Sequence, residues 1–211
     1  MIKRIIFIAV MCAFVAAPAL ADMTVYTNEA TFTAMLQPGY YLENWNYAPW
    51  TTIVDPAISS PQSFSGGLGW AYDISSPSGL SGQPIPPPDG PGGAVANYYQ
   101  GQAVTVTFTG PKPSAVGGIF WVTDLYGNFV NGGTVTINLM SGGSYTYSDT
   151  SNWDAFTGFI SDSPITSMSI QSSYFATMDH LYVGNPVPVP AAVLLGILGF
   201  CVAGLKLRKL A

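Results

Sequence analysis

The run Ala103-Val-Thr-Val-Thr-Phe-Thr109 constrains this chain more than any other stretch. It alternates without a fault. A period of two puts Val104, Val106 and Phe108 on one face of a strand, whereas a helix would scatter them around its axis. The pattern recurs at Thr134-Val-Thr-Ile-Asn-Leu-Met140, with Val135, Ile137 and Leu139 facing inward. Ser141-Gly-Gly-Ser144 then turns the chain, and Tyr145-Thr-Tyr-Ser148 returns along it. Between the two alternating runs, residues 115–124 are apolar almost continuously, which predicts a central strand covered on both faces. Residues 155–160, 165–171 and 178–183 continue the series. Strands at roughly 8–12-residue spacing, with turn signals between them, predict two packed sheets.

The first half is less regular. Residues 24–27 suit a short strand. Asn28 then suits a helix N-cap and Glu29 the positive first turn. Phe32, Met35 and Leu36 share one face of that short helix, which Pro38-Gly39 ends. Residues 40–45 and 69–74 are predicted as strands. From Asn46 to Gln102 prolines punctuate the chain. The stretch Pro84-Ile-Pro-Pro-Pro-Asp-Gly-Pro-Gly-Gly93 is expected to be a surface loop without packing capacity. The expected fold class is therefore all-β: a two-sheet β-sandwich over residues 22–185 with one short N-terminal helix.

Both ends have a different character. Residues 1–21 carry Lys3 and Arg4, an apolar run from Ile5 to Ala17, and Ala19-Leu-Ala21 before Asp22. This is the pattern of a secretory signal peptide, with Ala19 and Ala21 at a small-x-small cleavage site. It implies the Sec translocon and signal peptidase as partners. At the other end, Pro188 and Pro190 form a stiff entry, and Val187 to Leu205 runs 19 residues without a charge. Lys206, Arg208 and Lys209 follow as a basic stop. Fifteen residues lie from Ala191 to Leu205, a helix of about 22 Å at 1.5 Å per residue. With Leu207 and snorkelling of the basic side chains, a transmembrane helix over 191–207 just spans a thin bilayer. Its basic end lies in the cytoplasm.

Val187-Pro-Val-Pro-Ala191, the Leu-, Gly- and Ala-rich run and the terminal basic cluster together resemble the PEP-CTERM class of sorting signals, in particular its Val-Pro-Leu-Pro-Ala variant. The resemblance covers about 25 residues, 187–211. It implies that exosortase, a membrane transpeptidase-like enzyme, recognises the tail. It also implies a Gram-negative bacterium that makes extracellular polysaccharide. The protein would pass from the inner membrane, with a periplasmic ectodomain, to the cell surface or extracellular matrix. Val189 departs from the commonest form of the signal, which has Glu there, and the basic cluster is rich in Lys rather than Arg. Residues 117–124, 156–168 and 178–184 further resemble the jelly-roll modules, lectin-like in shape, that precede such tails.

Charge separates the segments further. All 11 acidic residues lie between the two ends, against one basic residue there, Lys112, which leaves the ectodomain at −10. Such a module does not bind nucleic acid through phosphates. It is repelled by anionic polysaccharide unless divalent cations bridge the two. Cys12 and Cys201 both lie in the targeting ends, so the ectodomain has no disulfide.

Catalytic patterns are weak. His180 is the one histidine, and no Gly-x-Ser-x-Gly motif accompanies it. On alternation Asp179 and His180 point to opposite faces. Glu29, Glu43, Asp124, Asp154, Asp162 and Asp179 have no spacing that specifies a paired-carboxylate hydrolase. No cofactor is implied, though loop and strand-end acids admit calcium, with Asp124 and Asp179 as the ligands to test. Trp121 is expected in the core. Trp50, Trp153 and Tyr98-Tyr99 stand in turn-rich surroundings and are the candidates for an exposed ligand platform. The chain thus reads as a non-enzymatic exported surface protein. The alternative is a carbohydrate-binding, lectin-like module associated with polysaccharide, and a glycoside hydrolase ranks below both.

Overall fold

The structure is a computed structural model that describes residues 23–53, 57–85, 92–150 and 155–188. The expected signal segment 1–21, Trp153, and the tail from Val189 with the helix expected over 191–207 lie outside the described residues. Among the described residues no helix is long and apolar enough to cross a membrane, which leaves strand-built spans unaddressed.

The described residues form thirteen strands in two antiparallel sheets. In chain order these are β1 (Met23–Tyr26), β2 (Tyr41–Glu43), β3 (Gln62–Gly66), β4 (Trp70–Ser75), β5 (Leu80–Ile85), β6 (Gly92–Asn97) and β7 (Val104–Phe108). They continue with β8 (Ala115–Thr123), β9 (Gly133–Leu139), β10 (Ser144–Asp149), β11 (Phe156–Ser161), β12 (Ser167–Ser172) and β13 (Phe175–Gly184). One helix, α1 (Glu29–Thr33), follows β1. The six-stranded sheet has the order β10-β9-β12-β7-β4-β3, and the seven-stranded sheet the order β1-β11-β8-β13-β6-β5, with β2 added against β13.

The alternating runs do what their period dictates. Val104, Val106 and Phe108 of β7 and Val135, Ile137 and Leu139 of β9 are buried, while Thr107 of β7 and Thr134 of β9 on the opposite face are exposed. These side chains meet Val116, Phe120 and Val122 of β8 and Ala176, Met178 and Val183 of β13 in one core between the sheets. The apolar residues 115–123 form the predicted central strand, flanked by β11 and β13 and buried almost throughout. Trp121 is 1% exposed, yet the register places it beside Thr177 on the face turned away from the inter-sheet core.

Asn28 caps α1 as expected, accepting a hydrogen bond from Thr31 N at 2.9 Å. Phe32 drops onto the outer face of the seven-stranded sheet, 5.5 Å from the Phe156 ring and 6.2 Å from that of Tyr182. Leu36 is buried, but Met35 is not. The helix ends at Thr33, so the expected i, i+3, i+4 face is not continued, and Leu36 instead bridges Pro186 as an extended pair.

Three further expectations are corrected. The strand predicted over 40–45 stops at Glu43. The Glu43 carboxylate accepts from the backbone N–H of Asn44 and of Trp45, both at 3.1 Å, and Trp45 turns to a left-handed φ of 44°. Burial and the neighbouring Glu43 push the Tyr47 hydroxyl up to about 12. Burial, again with Glu43, also raises those of Tyr41 and Tyr72. The strand placed at 69–74 is offset by one, since Gly69 takes φ 90° and belongs to the turn. The proline-rich stretch 84–93 is not wholly loop: Pro84 and Ile85 end β5, and Gly92 and Gly93 begin a buried β6. Gly93 needs its missing side chain. A Cβ there would sit 2.4 Å from the Trp45 carbonyl oxygen, because the segment 45–52 crosses beneath β5 and β6. The same crossing carries Trp45 and Trp50 into the core.

Candidate ligand-binding cleft

At the end of the seven-stranded sheet where β13 begins lies an open cleft of about 600 Å³. Its floor consists of Ser81 and Gln83 from β5 and Phe175 from β13, whose side chains share the outer face of the sheet. Two loops raise its walls: Tyr98-Tyr99-Gln100 after β6, and Leu125-Tyr126 after β8. Ile53 closes one side.

Each wall is held by a buried or hydrogen-bonded polar group. Asn97 is fully buried; its Oδ1 accepts from Ala176 N at 2.5 Å and its Nδ2 donates to the Tyr99 carbonyl, so β6, β13 and the tyrosine loop are tied at one point. Tyr98 and Tyr99 then stand edge to face, with ring centroids 5.1 Å apart. Across the cleft, Asp124 organises its own loop. Its Oδ1 accepts from Tyr126 N at 2.8 Å and Asn128 N at 2.9 Å, and its Oδ2 accepts from Asn128 Nδ2 at 3.0 Å. Desolvation pushes the Asp124 carboxyl up, but the hydrogen bonds from Asn128 and Tyr126 outweigh it and hold it below its ordinary value. The loop leaves Leu125 62% and Tyr126 75% exposed, a high fraction for groups of that size. Gly127, at φ 80°, lets this loop close over the floor, where a Cβ would lie 2.5 Å from Gln83 Oε1.

Gln83 is the polar centre of the floor. It is 3% exposed, and its Oε1 has no hydrogen-bond partner. A buried acceptor left unpaired costs roughly 1–3 kcal/mol, which a donor brought by a ligand offsets. Among the described residues no carboxylate, lysine, arginine or histidine lines the cleft. These residues offer rings, apolar side chains, amides and hydroxyls, and no charge.

The sequence-predicted residues distribute unevenly around this site. Tyr98 and Tyr99 line it. Asp124 stands beside it but spends its oxygens on the loop. Trp50 is not a surface platform: it is 2% exposed, its ring 5.9 Å from that of Phe64 in the core. A turn-rich segment can carry core residues when it crosses the open end of a sandwich. Asp179 lies opposite Ile119 on β8, five residues from Asp124, a separation of about 17 Å at 3.4 Å per residue. The two acids are not one calcium site. Nor do Asp179 and His180 simply diverge. His180 has φ 50° at a bulge in β13, and its Nδ1 comes within 3.8 Å of Asp179 Oδ2. Alternation fails at a bulge because the extra residue resets the phase.

Three other acids serve local structure, and Asp154 lies outside the described residues. Tyr182 donates to Glu29 Oε1, Ser63 to Asp73 at 2.7 Å, and Val122 N to Asp149 at 3.3 Å. Among the described residues no three His, Cys, Asp or Glu gather to hold a metal ion. Sequence reasoning missed Ser81, Gln83, Phe175 and Ile53, which carry no local signal. Tyr126 could have been found, since an aromatic residue at the tip of a Gly-Asn turn has little to pack against.

No family model and no curated protein matches the chain. Among solved structures, the chain is similar to the CsCBM6-3 module from Clostridium stercorarium in complex with cellobiose, at 17% identity and a TM-score of 0.32. That likeness covers 64% of this chain and all of the other. It is too distant to bear on fold or ligand.

Proposed function

We propose that this jelly-roll-like sandwich is a non-catalytic binding module for a neutral saccharide, and that the cleft between Tyr99 and Tyr126 is its site. The observation that carries this is the unpaired Gln83 Oε1 at the bottom of an uncharged, tyrosine-walled cleft. Sugars present apolar C–H faces that suit aromatic rings and hydroxyl donors that suit a buried amide oxygen. A proline-rich peptide would use the same rings but brings few donors to the floor. The ectodomain charge of −10, eleven acids against one lysine, favours a neutral over an anionic polymer. The volume lies within the roughly 300–1,000 Å³ common for ligand pockets.

The module is exported and sorted by its ends in this proposal: signal peptidase removes residues 1–21, and exosortase acts on the tail from Val187. The sequence patterns of those ends support this. Intact mass of the mature protein from its native host tests it, with Asp22 as the expected first residue.

Affinity electrophoresis and calorimetry against a panel of neutral polysaccharides test the site. Tyr99→Ala, Tyr126→Ala and Gln83→Leu should each weaken binding about tenfold, the equivalent of roughly 1.4 kcal/mol. Binding that survives all three substitutions removes the cleft from consideration.

A further inference from the structure

We infer that the opposite end of the sandwich, around Val187, rests on the surface of a lipid bilayer. The inference goes beyond the saccharide site and rests on the reading of residues 191–207 as a membrane helix. Its starting point is how the chain leaves the fold. Leu36 and Pro186 pair as an antiparallel bridge. Val187 N donates to the Met35 carbonyl at 2.8 Å, Gln37 N to the Asn185 carbonyl at 2.9 Å, and Gln37 Nε2 to the Pro186 carbonyl at 2.9 Å. The fold therefore holds the chain as far as Val187. Three residues, 188–190, separate it from the membrane helix expected to begin at Ala191. Fully extended they reach about 10 Å. An anchor in the bilayer would thus keep this end of the domain at headgroup level.

The side chains there suit that position. Leu36 points inward, so its neighbour Met35 and the facing Val187 point out, at 40% and 45% exposure. Tyr40 is 39% exposed and packs its ring 5.8 Å from that of Tyr182. Leu68, at the tip of the β3–β4 turn, is 79% exposed and lies against Gly39. A shallow groove of about 250 Å³ joins Tyr40 and Leu68 to Asn185 at the chain exit. An apolar rim with a tyrosine beside it suits the boundary between headgroups and acyl chains.

Strand β13 links the two ends. It begins at Phe175 in the cleft floor and finishes at Gly184, three residues before Val187. Nine steps of roughly 3.3 Å place the cleft about 30 Å from Gly184, at the end of the sheet remote from the lipid. The same strand would present the saccharide site and seat the domain.

The test uses the chain from Asp22 to Ala211 in phosphatidylcholine vesicles, with Cys201 replaced by Ser. Met35→Cys, Leu68→Cys and Tyr99→Cys each carry an environment-sensitive fluorophore, and nitroxide-labelled lipid is the quencher. Labels at 35 and 68 should be quenched at least about twofold more than the label at 99, as interfacial depth requires. Carbonate extraction is run in parallel. A chain that carbonate releases has no membrane anchor, and the inference falls with that reading. A chain that is retained, with labels at 35 and 68 no more quenched than at 99, overturns the seated face alone. Protection of those labels that depends on protein density rather than on lipid assigns the face to a second copy and also overturns it. None of these outcomes depends on saccharide binding.

Discussion

The two sheets bury their residues differently. In the six-stranded sheet, β7, β9 and β10 alternate, with one face in the core, Tyr145 and Tyr147 included, and mainly threonines and serines on the other. In the seven-stranded sheet, β6, β8 and β13 are buried on both faces. Its second face carries Phe32 of α1 toward one end and the cleft floor of Ser81, Gln83 and Phe175 at the other. A sheet with one solvated face needs only a period of two. A sheet with two covered faces has to shape the second, and there the candidate cleft and its unpaired amide are found.

The largest test of this difference is Trp50→Ala. It removes a fully enclosed ring between the sheets and should cost about 4 kcal/mol in urea unfolding. A change near zero would return Trp50 to the surface. Gly93→Ala should follow at about 3 kcal/mol, because its Cβ meets backbone rather than a side chain that can move. Both act on the two-faced sheet.

A smaller effect concerns Asp124 and is a matter of pH. Its folded carboxyl titrates below its ordinary value of 3.8. Its contribution to the cleft wall is thus complete above that value and is lost as pH falls through the lowered folded value. Saccharide affinity followed from pH 6 downward should decline only in that acid range (about pH 4 and below, from the carboxylate scale), together with the amide signals of Tyr126 and Asn128. Asp124→Asn should weaken binding at neutral pH and abolish the acid decline. The smallest effect is expected on the solvated face of the six-stranded sheet. Thr136 faces Thr146 there, their hydroxyls 3.0 Å apart and exposed, and Thr136→Ala should change stability by less than about 0.5 kcal/mol.

Legibility followed the same division. The strands with one wet face, 104–108 and 133–139, were readable almost residue by residue, as was the apolar β8. Strands β3, β5 and β6 were not. Gln62–Gly66, Leu80–Ile85 and Gly92–Asn97 are rich in Gly, Ser and Pro, and their burial comes from what crosses them rather than from their own hydrophobicity. Trp50 misled for the same reason: its neighbours signal turns, and only the crossing beneath β5 and β6 makes it core. Of the cleft, Tyr98 and Tyr99 stood out as exposed aromatics, whereas Gln83 is an ordinary glutamine until Gly127 closes over it.

The amino-acid sequence by itself determined the antiparallel two-sheet class, the acidic and disulfide-free character of the central segment, the helix cap at Asn28 and the distinct chemistry of the two ends. Each of these follows from local period, composition or covalent constraint. The tertiary structure alone decided which tryptophans are buried, where β13 bulges at His180, and which side chains meet in the cleft. Those depend on contacts between residues far apart in the chain, such as Asn97 with Ala176 and Gly127 with Gln83. A one-dimensional pattern does not encode such pairs; they arise when the sheets twist and pack.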